Sequence, residues 1–292
     1  MDAVESGATI GGLLRESALP RLEAELLLCS VLGCERVWLI AHAEEGIDPS
    51  RARAARDRFA RRRAGEPVSY ITGCREFYGL PLRVTLDVLI PRPETERLVE
   101  LALERLSPGA PARVLDLGTG SGAIAIALAT ERPGLGIVAT DVSEAALALA
   151  RRNARDHGAE IDFVLSDWFD ALRPGQFDLI VSNPPYVAAG DAHLELGDLR
   201  FEPRLALIGG EDGLTCIRKI AEHARSWLSP GGCLLLEHGY DQRDRCIDLF
   251  REFGYADVED FDDLAKVPRV CVGAVDRVES ERYNSRQFLS GI

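Results

Sequence analysis

The beginning of the chain has apolar residues at helical spacing. Within residues 9–64 they recur every three or four positions, the spacing of short amphipathic helices that bury one face. Pro20 and Gly33 stand where one of these helices is predicted to start and to end. Its predicted buried face consists of Leu22, Leu26, Leu27 and Val31. We therefore expect residues 1–66 to form a small helical domain.

The pattern changes after residue 66. Residues 67–93 contain short β-prone pieces separated by glycine and proline, which indicates a connecting β-hairpin. Strand-like and helix-like segments then alternate. The predicted strands are 113–117, 136–141, 162–165, 177–182, 233–237, 256–261 and 270–274, and the predicted helices are 94–105, one ending near 130, 144–155, 214–227 and 243–253. This alternation predicts an α/β domain over residues 94–276 with a mostly parallel, doubly wound sheet. We expect residues 277–292 to be a disordered tail.

Composition narrows the class of protein. The chain has 292 residues, 46% of them hydrophobic and 28% charged, as in ordinary soluble globular proteins. It opens with acidic residues where a secretory signal would be basic, and no apolar run is long enough to cross a bilayer. Seven scattered cysteines without a CxxC pair and five dispersed histidines argue against disulfides and metal sites. We expect a cytoplasmic, metal-free protein whose cysteines are buried, reduced core thiols.

The charge of the chain bears on its partners. The formal net charge is −13, from 34 lysines and arginines against 47 acidic residues, which disfavours binding to a phosphate backbone. We therefore expect no stable binding to nucleic acid. Seven arginines are nevertheless concentrated on one predicted helix, at positions 51, 53, 56, 58, 61, 62 and 63. Two interpretations of that helix stay open, a solvated face and a surface that docks a partner.

A glycine-rich turn follows the first strand of the predicted sheet. It consists of Gly118, Thr119, Gly120, Ser121 and Gly122. Doubly wound sheets bind nucleotides at this position, because small residues let a ligand approach the backbone. The same spacing also fits a dinucleotide-binding fingerprint, and the last glycine could serve tight packing alone. The turn by itself therefore predicts a nucleotide site without naming the nucleotide.

Aspartates and a tryptophan near this turn sharpen the prediction. Asp116 precedes the glycines, and Asp141 ends the second strand, where a carboxylate can accept both hydroxyls of a ribose. Asp141 could instead cap the next helix, but Ser143 is the better placed cap. Asp167 and Trp168 follow the third strand, where they could meet the amino group and the ring of an adenine. Trp168 equally fits a core position. The pattern predicts adenosine recognition.

The fourth strand runs into Asn183-Pro184-Pro185-Tyr186. Two consecutive prolines hold the loop extended and remove two backbone donors, so the loop offers mainly hydrogen-bond acceptors. The Asn183 side-chain oxygen and the Pro184 carbonyl can accept both hydrogens of a planar NH2 group while Tyr186 packs on its flat face. We predict that the loop positions an amide or exocyclic amine nitrogen for methyl transfer by electrostatic preorganisation, without a strong base.

Several segments of the chain together carry a family resemblance. They are Glu76–Leu80, Leu89–Glu96, Asp116–Gly122, Ser166–Phe169, Asn183–Tyr186, Phe201–Pro203 and Leu235–Gly239. Through them the chain resembles the release-factor glutamine methyltransferases, the PrmC/HemK family, over nearly its whole length. The glycine turn and the NPPY loop are shared widely among methyltransferases, whereas the block Leu89–Glu96 beside a helical N-terminal domain is far more specific.

The resemblance implies a five-helix, substrate-docking N-terminal domain and a seven-stranded, Rossmann-like class I methyltransferase domain. It also implies transfer of a methyl group from S-adenosylmethionine, leaving S-adenosylhomocysteine, to N5 of the glutamine in the Gly-Gly-Gln motif of class-I peptide chain release factors. The implied cofactor-binding residues are Gly118, Thr119, Gly120, Ser121, Gly122, Asp141, Asp167, Trp168 and Asn183. The implied catalytic and substrate-binding residues are Asn183, Pro184, Pro185 and Tyr186.

Three other functions fit part of the pattern. An adenine-N6 methyltransferase would also present an NPPY loop to a planar amine, although no target-recognition segment is evident and the net charge is unfavourable. A non-catalytic docking module would leave both motifs unexplained, and a nicotinamide-binding protein would leave the NPPY loop unexplained. We expect a monomeric release-factor methyltransferase that acts in translation termination.

Overall fold

The computed structural model describes residues 8–173 and 175–276. They form two compact units, one made of residues up to Cys74 together with His193–Phe201, the other of Arg75–Ala192 and the residues from Glu202 onward. The domain boundaries expected after residues 66 and 93 stay predictions. The tail expected at 277–292 lies outside the described residues.

The first unit is helical. Its helices are α1 Ile10–Glu16, α2 Arg21–Leu32, α3 Arg36–Ala41, α4 Pro49–Arg63 and α5 Val68–Thr72. Pro20 precedes the first turn of α2, and Gly33 ends that helix in the left-handed region at φ 68°. Both ends of α2 are therefore confirmed, because glycine adopts positive φ without the strain that a Cβ brings.

The buried face of α2 differs from the predicted one. Leu27 is buried as predicted, but Leu22 and Leu26 are 51% and 39% exposed, and Ala24 and Leu28 are buried instead. The prediction is wrong for Leu22 and Leu26 because a charged residue takes an inward position on this helix, which hydrophobic spacing alone does not anticipate.

That charged residue is Glu25, whose side chain is only 3% exposed. Its carboxylate accepts hydrogen bonds from Arg21 on the same helix and from Arg36, whose Nη2 lies 2.7 Å away at the start of α3. These two bonds lower the pKa of Glu25. The double pairing keeps the buried carboxylate ionised and ties α2 to α3.

Helix α5 corrects another prediction. Residues from 67 onward were expected to be β-prone, but Val68–Thr72 form a helix that buries Tyr70 and Ile71. Pro67 precedes the helix, and Gly73 ends it at φ 72° with its N–H donated to the Ser69 carbonyl. A short segment bounded by proline and glycine becomes helical when packing rewards it, so local propensity was a poor guide.

The arginines of α4 are largely paired within the first unit. Arg56 pairs with Glu16, Arg61 with Glu66, and Arg62 with both Glu23 and Asp198, while Arg63 donates to the Ser17 carbonyl. Much of the positive charge of the helix is thereby neutralised. This pairing favours the solvated face over the docking surface as the interpretation of α4.

The second unit opens with a hairpin and continues as a layered α/β domain. The hairpin strands are β1 Cys74–Phe77 and β2 Leu80–Arg83, and a short 3-10 helix covers Pro93–Thr95. The remaining elements are α6 Glu96–Arg105, β3 Arg113–Leu117, α7 Ala123–Glu131, β4 Gly136–Asp141, α8 Glu144–Asp156, β5 Asp162–Leu165, β6 Phe177–Ser182, α9 Thr215–Ala224, β7 Leu228–Glu237, α10 Arg243–Glu252, β8 Ala256–Asp262 and β9 Pro268–Ala274.

The seven-stranded sheet has the order β5-β4-β3-β6-β7-β9-β8. All pairs from β5 to β7 are parallel, and β9 runs antiparallel to both β7 and β8. The predicted α/β class with a mostly parallel, doubly wound sheet is confirmed. Strand β7 begins at Leu228, five residues before the predicted start at 233, and the pairing of β6 with β7 shifts register in the added part. The sequence did not predict this part of the strand because it contains a Pro-Gly-Gly run, and proline and glycine are unfavourable inside strands.

The core lies on both faces of the sheet. On one face Val114 and Val181 pack with Leu98 of α6 and Ile126 of α7. On the other face the main contributors are Leu115 and Ile180 of the sheet, Ile217 of α9 and Phe250 of α10. Because consecutive strand residues face opposite sides, each central strand feeds both layers. Because helices pack on both faces of the sheet, the positions of the strand ends, where the site lies, are fixed.

Not all cysteines are core residues. All seven are free thiols, and Cys246 and Cys271 are buried as expected. Cys74 is exposed at the start of the hairpin, and Cys29, Cys34, Cys216 and Cys233 are only partly buried, so the expectation of buried thiols is wrong for these five. No helix of the described residues combines the length and the apolar character needed to cross a membrane.

The buried pairing of Glu25 can be tested by unfolding. Glu25→Ala leaves two arginines without their common partner, and we expect a loss of roughly 1–3 kcal/mol of unfolding free energy in urea titrations. Glu16→Ala is the matched control, because Glu16 pairs with Arg56 at the exposed surface and should cost less than about 1 kcal/mol. Equal losses in both variants would contradict the role assigned to Glu25.

Candidate active site

A cavity of about 520 Å³ opens at the carboxyl ends of the parallel strands in the second unit. Its walls come from the glycine turn, the ends of β4 and β5, the NPPY loop, the segment 86–95 and the segment 203–208. The sequence-predicted residues that line it are Gly118, Thr119, Gly120, Ser121, Asp141, Asp167, Trp168, Asn183 and Pro185. Gly122, Pro184 and Tyr186 do not line it directly.

The glycine turn depends on positive backbone angles. Gly118, Gly120 and Gly122 have φ of 68°, 55° and 85°. A Cβ on Gly118 would lie 3.5 Å from the Trp168 ring, and one on Gly122 would lie 2.9 Å from Ile126. Gly122 therefore allows close packing against α7. The absence of a side chain at Gly118 leaves space in the cavity beside Trp168.

Asp141 is held rigidly at the end of β4. Its Oδ2 accepts the Gly120 N–H at 2.8 Å, and its Oδ1 accepts the Ser143 N–H at 2.9 Å. Burial raises the pKa of this carboxyl, and these hydrogen bonds oppose the rise. Ser143 caps α8 by accepting the Ala146 N–H, as the sequence predicted. Asp141 is thus free of the capping role and presents its remaining lone pairs to the cavity.

Asp116 lies beneath the turn and is fully buried. Its Oδ2 accepts the Thr119 hydroxyl at 2.6 Å. Burial raises the pKa of Asp116 to about 7, and the bond from Thr119 opposes the rise. Asp116 therefore supports the turn from below and does not line the cavity.

The residues after β5 take two different positions, some in the wall of the cavity and one in the hydrophobic core. Trp168 lines the cavity with a positive φ of 52°, a conformation that costs energy for a large side chain and that its surroundings must hold. Phe169 is the core residue, buried and stacked on Trp227 at 5.7 Å between ring centroids. Asp167 also lines the cavity, and its Oδ1 lies 3.1 Å from Lys219 Nζ.

The NPPY loop is tied at both ends by side chains. Asn183 Nδ2 donates to Thr95 Oγ1 at 3.1 Å, and the Tyr186 hydroxyl donates to Glu237 Oε1 at 3.2 Å. Burial raises the pKa of Tyr186 far above its usual range, with the nearby Glu237 carboxylate adding to the rise. The predicted contact of Tyr186 with a flat substrate group stays a prediction, since its hydroxyl is directed at Glu237.

Comparisons with known proteins give matches to two family models and to named relatives. A family model for a methyltransferase small domain matches residues 96–201, and a model for the PrmC N-terminal domain matches residues 10–73. The release factor glutamine methyltransferase of Burkholderia pseudomallei is 50% identical over 279 residues, 92% of this chain and 96% of that protein. The protein of the same name from Escherichia coli is 47% identical over 261 residues, 89% of this chain and 94% of that one.

The chain belongs to the release factor glutamine methyltransferase family. A crystal structure of a methyltransferase from Pyrococcus furiosus has a TM-score of 0.53 and 20% identity, covering 75% of this chain and 98% of that chain, and supports the fold alone. The family resemblance inferred from the motifs is confirmed, and with it the assignment of the chain as a methyltransferase.

Several residues that support the cavity were not predicted from the sequence. Glu202 is buried, and its Oε1 lies 2.6 Å from Nη2 of Arg92, a cavity-lining residue. Gly209 packs so tightly on the NPPY loop that a Cβ would lie 2.5 Å from the Pro185 carbonyl oxygen. Gln242 is buried and donates to the Tyr186 carbonyl at 3.0 Å. Glu202 and Arg92 lie in segments that carried the resemblance.

The raised pKa of Asp116 predicts a pH-dependent stability. Between the ordinary pKa of 3.8 and about 7, the folded methyltransferase holds a proton that the unfolded chain has released. The stability contributed by this carboxyl is therefore complete below pH 3.8 and is lost as the pH rises through about 7. The effect is bounded at about 1.4 kcal/mol per pKa unit.

Asp116→Asn should flatten this dependence, because the amide has no proton to lose in that range. We expect the thermal midpoint of the cofactor-free variant to fall less between pH 5 and pH 8 than that of the unaltered protein. The exposed Asp170→Asn variant controls for the loss of one negative charge. Parallel curves for Asp116→Asn and the unaltered protein would show that Asp116 does not titrate as described.

Proposed function

We propose that the chain transfers a methyl group from S-adenosylmethionine to the N5 side-chain amide of the glutamine in the Gly-Gly-Gln motif of class-I peptide chain release factors. The observation that carries the proposal is the orientation of Asn183. Its NH2 group is engaged by Thr95, so its Oδ1 is left to accept a hydrogen bond from a donor in the cavity.

The groups that line the cavity support S-adenosylmethionine as the cofactor. Asp141 offers carboxylate lone pairs suited to two ribose hydroxyls, and Trp168 offers a ring face suited to adenine. The absence of a side chain at Gly118 and the small residues up to Ser121 leave room for the methionine part of the cofactor. When bound there, S-adenosylmethionine supplies a methyl group activated by its sulfonium. We propose that Gly118 to Ser121, Asp141, Asp167, Trp168 and Asn183 contact the cofactor, and that Gly122, which does not line the cavity, completes the turn by packing on Ile126.

The NPPY residues would act on the glutamine by positioning and electrostatics. Asn183 Oδ1 would accept one N–H hydrogen inside the cavity, and the carbonyl of Pro184, whose neighbours Asn183 and Pro185 line the cavity, would accept the other. These two bonds would orient the nitrogen lone pair and reduce its delocalisation into the amide. Pro185 lines the cavity, and Tyr186 braces the loop through Glu237. As the new N–C bond forms and the methyl–sulfur bond breaks, with S-adenosylhomocysteine as the leaving group, these acceptors would stabilise the positive charge that develops on the N–H groups. The methylated nitrogen would then release its extra proton to solvent water.

The proposal names a protein partner. Relatives at about half identity over most of their length carry the name release factor glutamine methyltransferase, which supports a release factor as substrate. Translation terminates in the cytoplasm, so we propose that location for the reaction. We expect a monomer without stable binding to nucleic acid.

The proposal is tested with isotopically labelled S-adenosylmethionine, an unmodified class-I release factor, and the same factor with the Gly-Gly-Gln glutamine replaced by alanine. We expect a mass gain of one methyl on that glutamine and no transfer to the alanine variant. Nucleic acid is offered in a separate reaction. Transfer to adenine in nucleic acid and not to the release factor would overturn the proposal in favour of an adenine-N6 methyltransferase.

Asn183→Ala tests the acceptor mechanism. Removing one of two aligned acceptors should lower kcat about 100- to 1000-fold, the size seen when one preorganised hydrogen-bond partner of a transition state is lost. Calorimetric affinity for S-adenosylhomocysteine serves as the internal control and should change by less than about fivefold, since most of the cavity wall is intact. Undiminished turnover in Asn183→Ala would exclude the proposed mechanism.

A further inference from the structure

Asn153 is a buried polar residue on the apolar face of α8. It is 1% exposed, and the other buried residues of that helix are alanines and leucines. Asparagine is a poor helix former, and a buried amide costs free energy unless it is hydrogen-bonded. The contacts of Asn153 therefore have to offset this cost.

The Asn153 amide joins two segments that are distant in sequence. Its Oδ1 accepts the Arg83 N–H at 2.9 Å, and its Nδ2 donates to the Arg83 carbonyl at 3.0 Å. The Nδ2 also donates to the Ser121 carbonyl at 2.9 Å. Both hydrogens of the amide and one lone pair of its oxygen are thereby used, so the orientation of the side chain is fixed.

The two segments that Asn153 joins form different walls of the cavity. Ser121 belongs to the glycine turn and lines the cavity, and Arg83 ends β2, shortly before the cavity-lining segment 86–95. Asn153 is not one of the lining residues. Its hydrogen bond therefore draws the Ser121 carbonyl toward α8 and away from the cavity.

The glycine turn also packs directly on α8 beside Asn153. A Cβ on Gly122 would lie 3.2 Å from the Cβ of Ala150, which is about one helical turn before Asn153. The Gly122 N–H donates to the Thr119 carbonyl at 2.8 Å, which closes the turn. A turn with several glycines has many accessible backbone conformations, so contacts from outside the turn must select one of them.

We propose that Asn153 is a positioning residue that sets the glycine turn for the cofactor and holds this turn at a fixed distance from β2. The inference rests on the proposed function for the identity of the cofactor. The hydrogen bonds of Asn153 order the turn without any contact to a ligand. Less conformational entropy is therefore lost when S-adenosylmethionine binds.

Two further contacts hold β2 at the end of α8 but do not reach the turn. Arg83 Nε lies 2.7 Å from Asp156 Oδ2, and both side chains are exposed. His157 Nε2 lies 2.9 Å from the Pro81 carbonyl oxygen. Asp156→Ala therefore weakens the attachment of β2 and leaves the bond to Ser121 in place. This variant is the matched control for Asn153.

The first arm of the test is calorimetric binding of S-adenosylhomocysteine. Asn153→Ala removes the bond to Ser121, and we expect the affinity to fall about 5- to 10-fold, the size of one lost hydrogen bond. Asn153→Asp keeps the size of the side chain and lacks the NH2 group, so its affinity should fall at least as far. Asp156→Ala should stay within about twofold of the unaltered protein.

A kinetic readout separates positioning of the turn from general damage to the site. In Asn153→Ala, KM for S-adenosylmethionine should rise about 5- to 10-fold, while kcat at saturating cofactor should fall less than about threefold. Equal losses of affinity in Asn153→Ala and Asp156→Ala, or an unchanged affinity in Asn153→Ala, would overturn the proposal.

The second arm needs neither ligand nor turnover. The N–H groups of Gly120 and Gly122 report on the turn, because both are hydrogen-bonded in it or beside it. We expect their hydrogen exchange to be faster in Asn153→Ala and unchanged in Asp156→Ala, while the amides of β3 stay protected in both variants. Equal exchange at these glycines in all three proteins would overturn the proposal even if glutamine methylation is found. The expected exchange pattern in a protein that binds no S-adenosylhomocysteine would uphold the role of Asn153 at the turn and reject the proposed cofactor.

Discussion

The parallel pairing of β4, β3 and β6 is the constraint on which the site depends. Leu117 at the end of β3 lies opposite Thr140 of β4 and opposite Ser182 of β6. The next residue along each strand is therefore at the same edge of the sheet, and these residues are Gly118, Asp141 and Asn183. Three residues separated by up to 65 positions in sequence meet because the register of two strand pairs is fixed by burial on both faces.

Buried polar side chains beneath this edge hold the loops of the site in place through hydrogen bonds. Asp116 holds Thr119, the Ser182 hydroxyl donates to the Leu117 carbonyl at 2.7 Å, and Asn153 donates to the Ser121 carbonyl at 2.9 Å. A polar group in the interior costs free energy unless it is hydrogen-bonded, so each has few alternative orientations. Rigidity of this kind is what electrostatic preorganisation of methyl transfer requires.

The sheet was accessible from sequence because its strands are short apolar runs with turn signals at both ends, and β3 to β6 lie at their predicted positions. The glycine turn and Asn183 were accessible for a related reason, since they follow those strands directly. Tertiary context decided the rest. Helix α5 and the exposed Leu22 and Leu26 depend on which neighbours pack against a helix, and spacing along one segment does not contain that information.

The support of the NPPY loop was hidden for a geometric reason. Thr95 is 88 residues from Asn183 in sequence, and Glu237 is 51 residues from Tyr186. No local pattern links such pairs, although both residues lie in segments that carried the family resemblance. The segments that carried the resemblance thus contained residues that support the NPPY loop, although no role was predicted for them. Their contacts in the folded chain show what they do.

We propose that an acceptor rim, fixed by Asn183, receives the NH2 group of a glutamine. A crystal structure of the protein with S-adenosylhomocysteine and a peptide containing Gly-Gly-Gln tests it most directly. We expect the glutamine amide nitrogen to lie within hydrogen-bond distance of Asn183 Oδ1 and of the Pro184 carbonyl oxygen. A glutamine whose carbonyl oxygen faces Asn183 Nδ2, or a peptide bound away from the cavity, would contradict it.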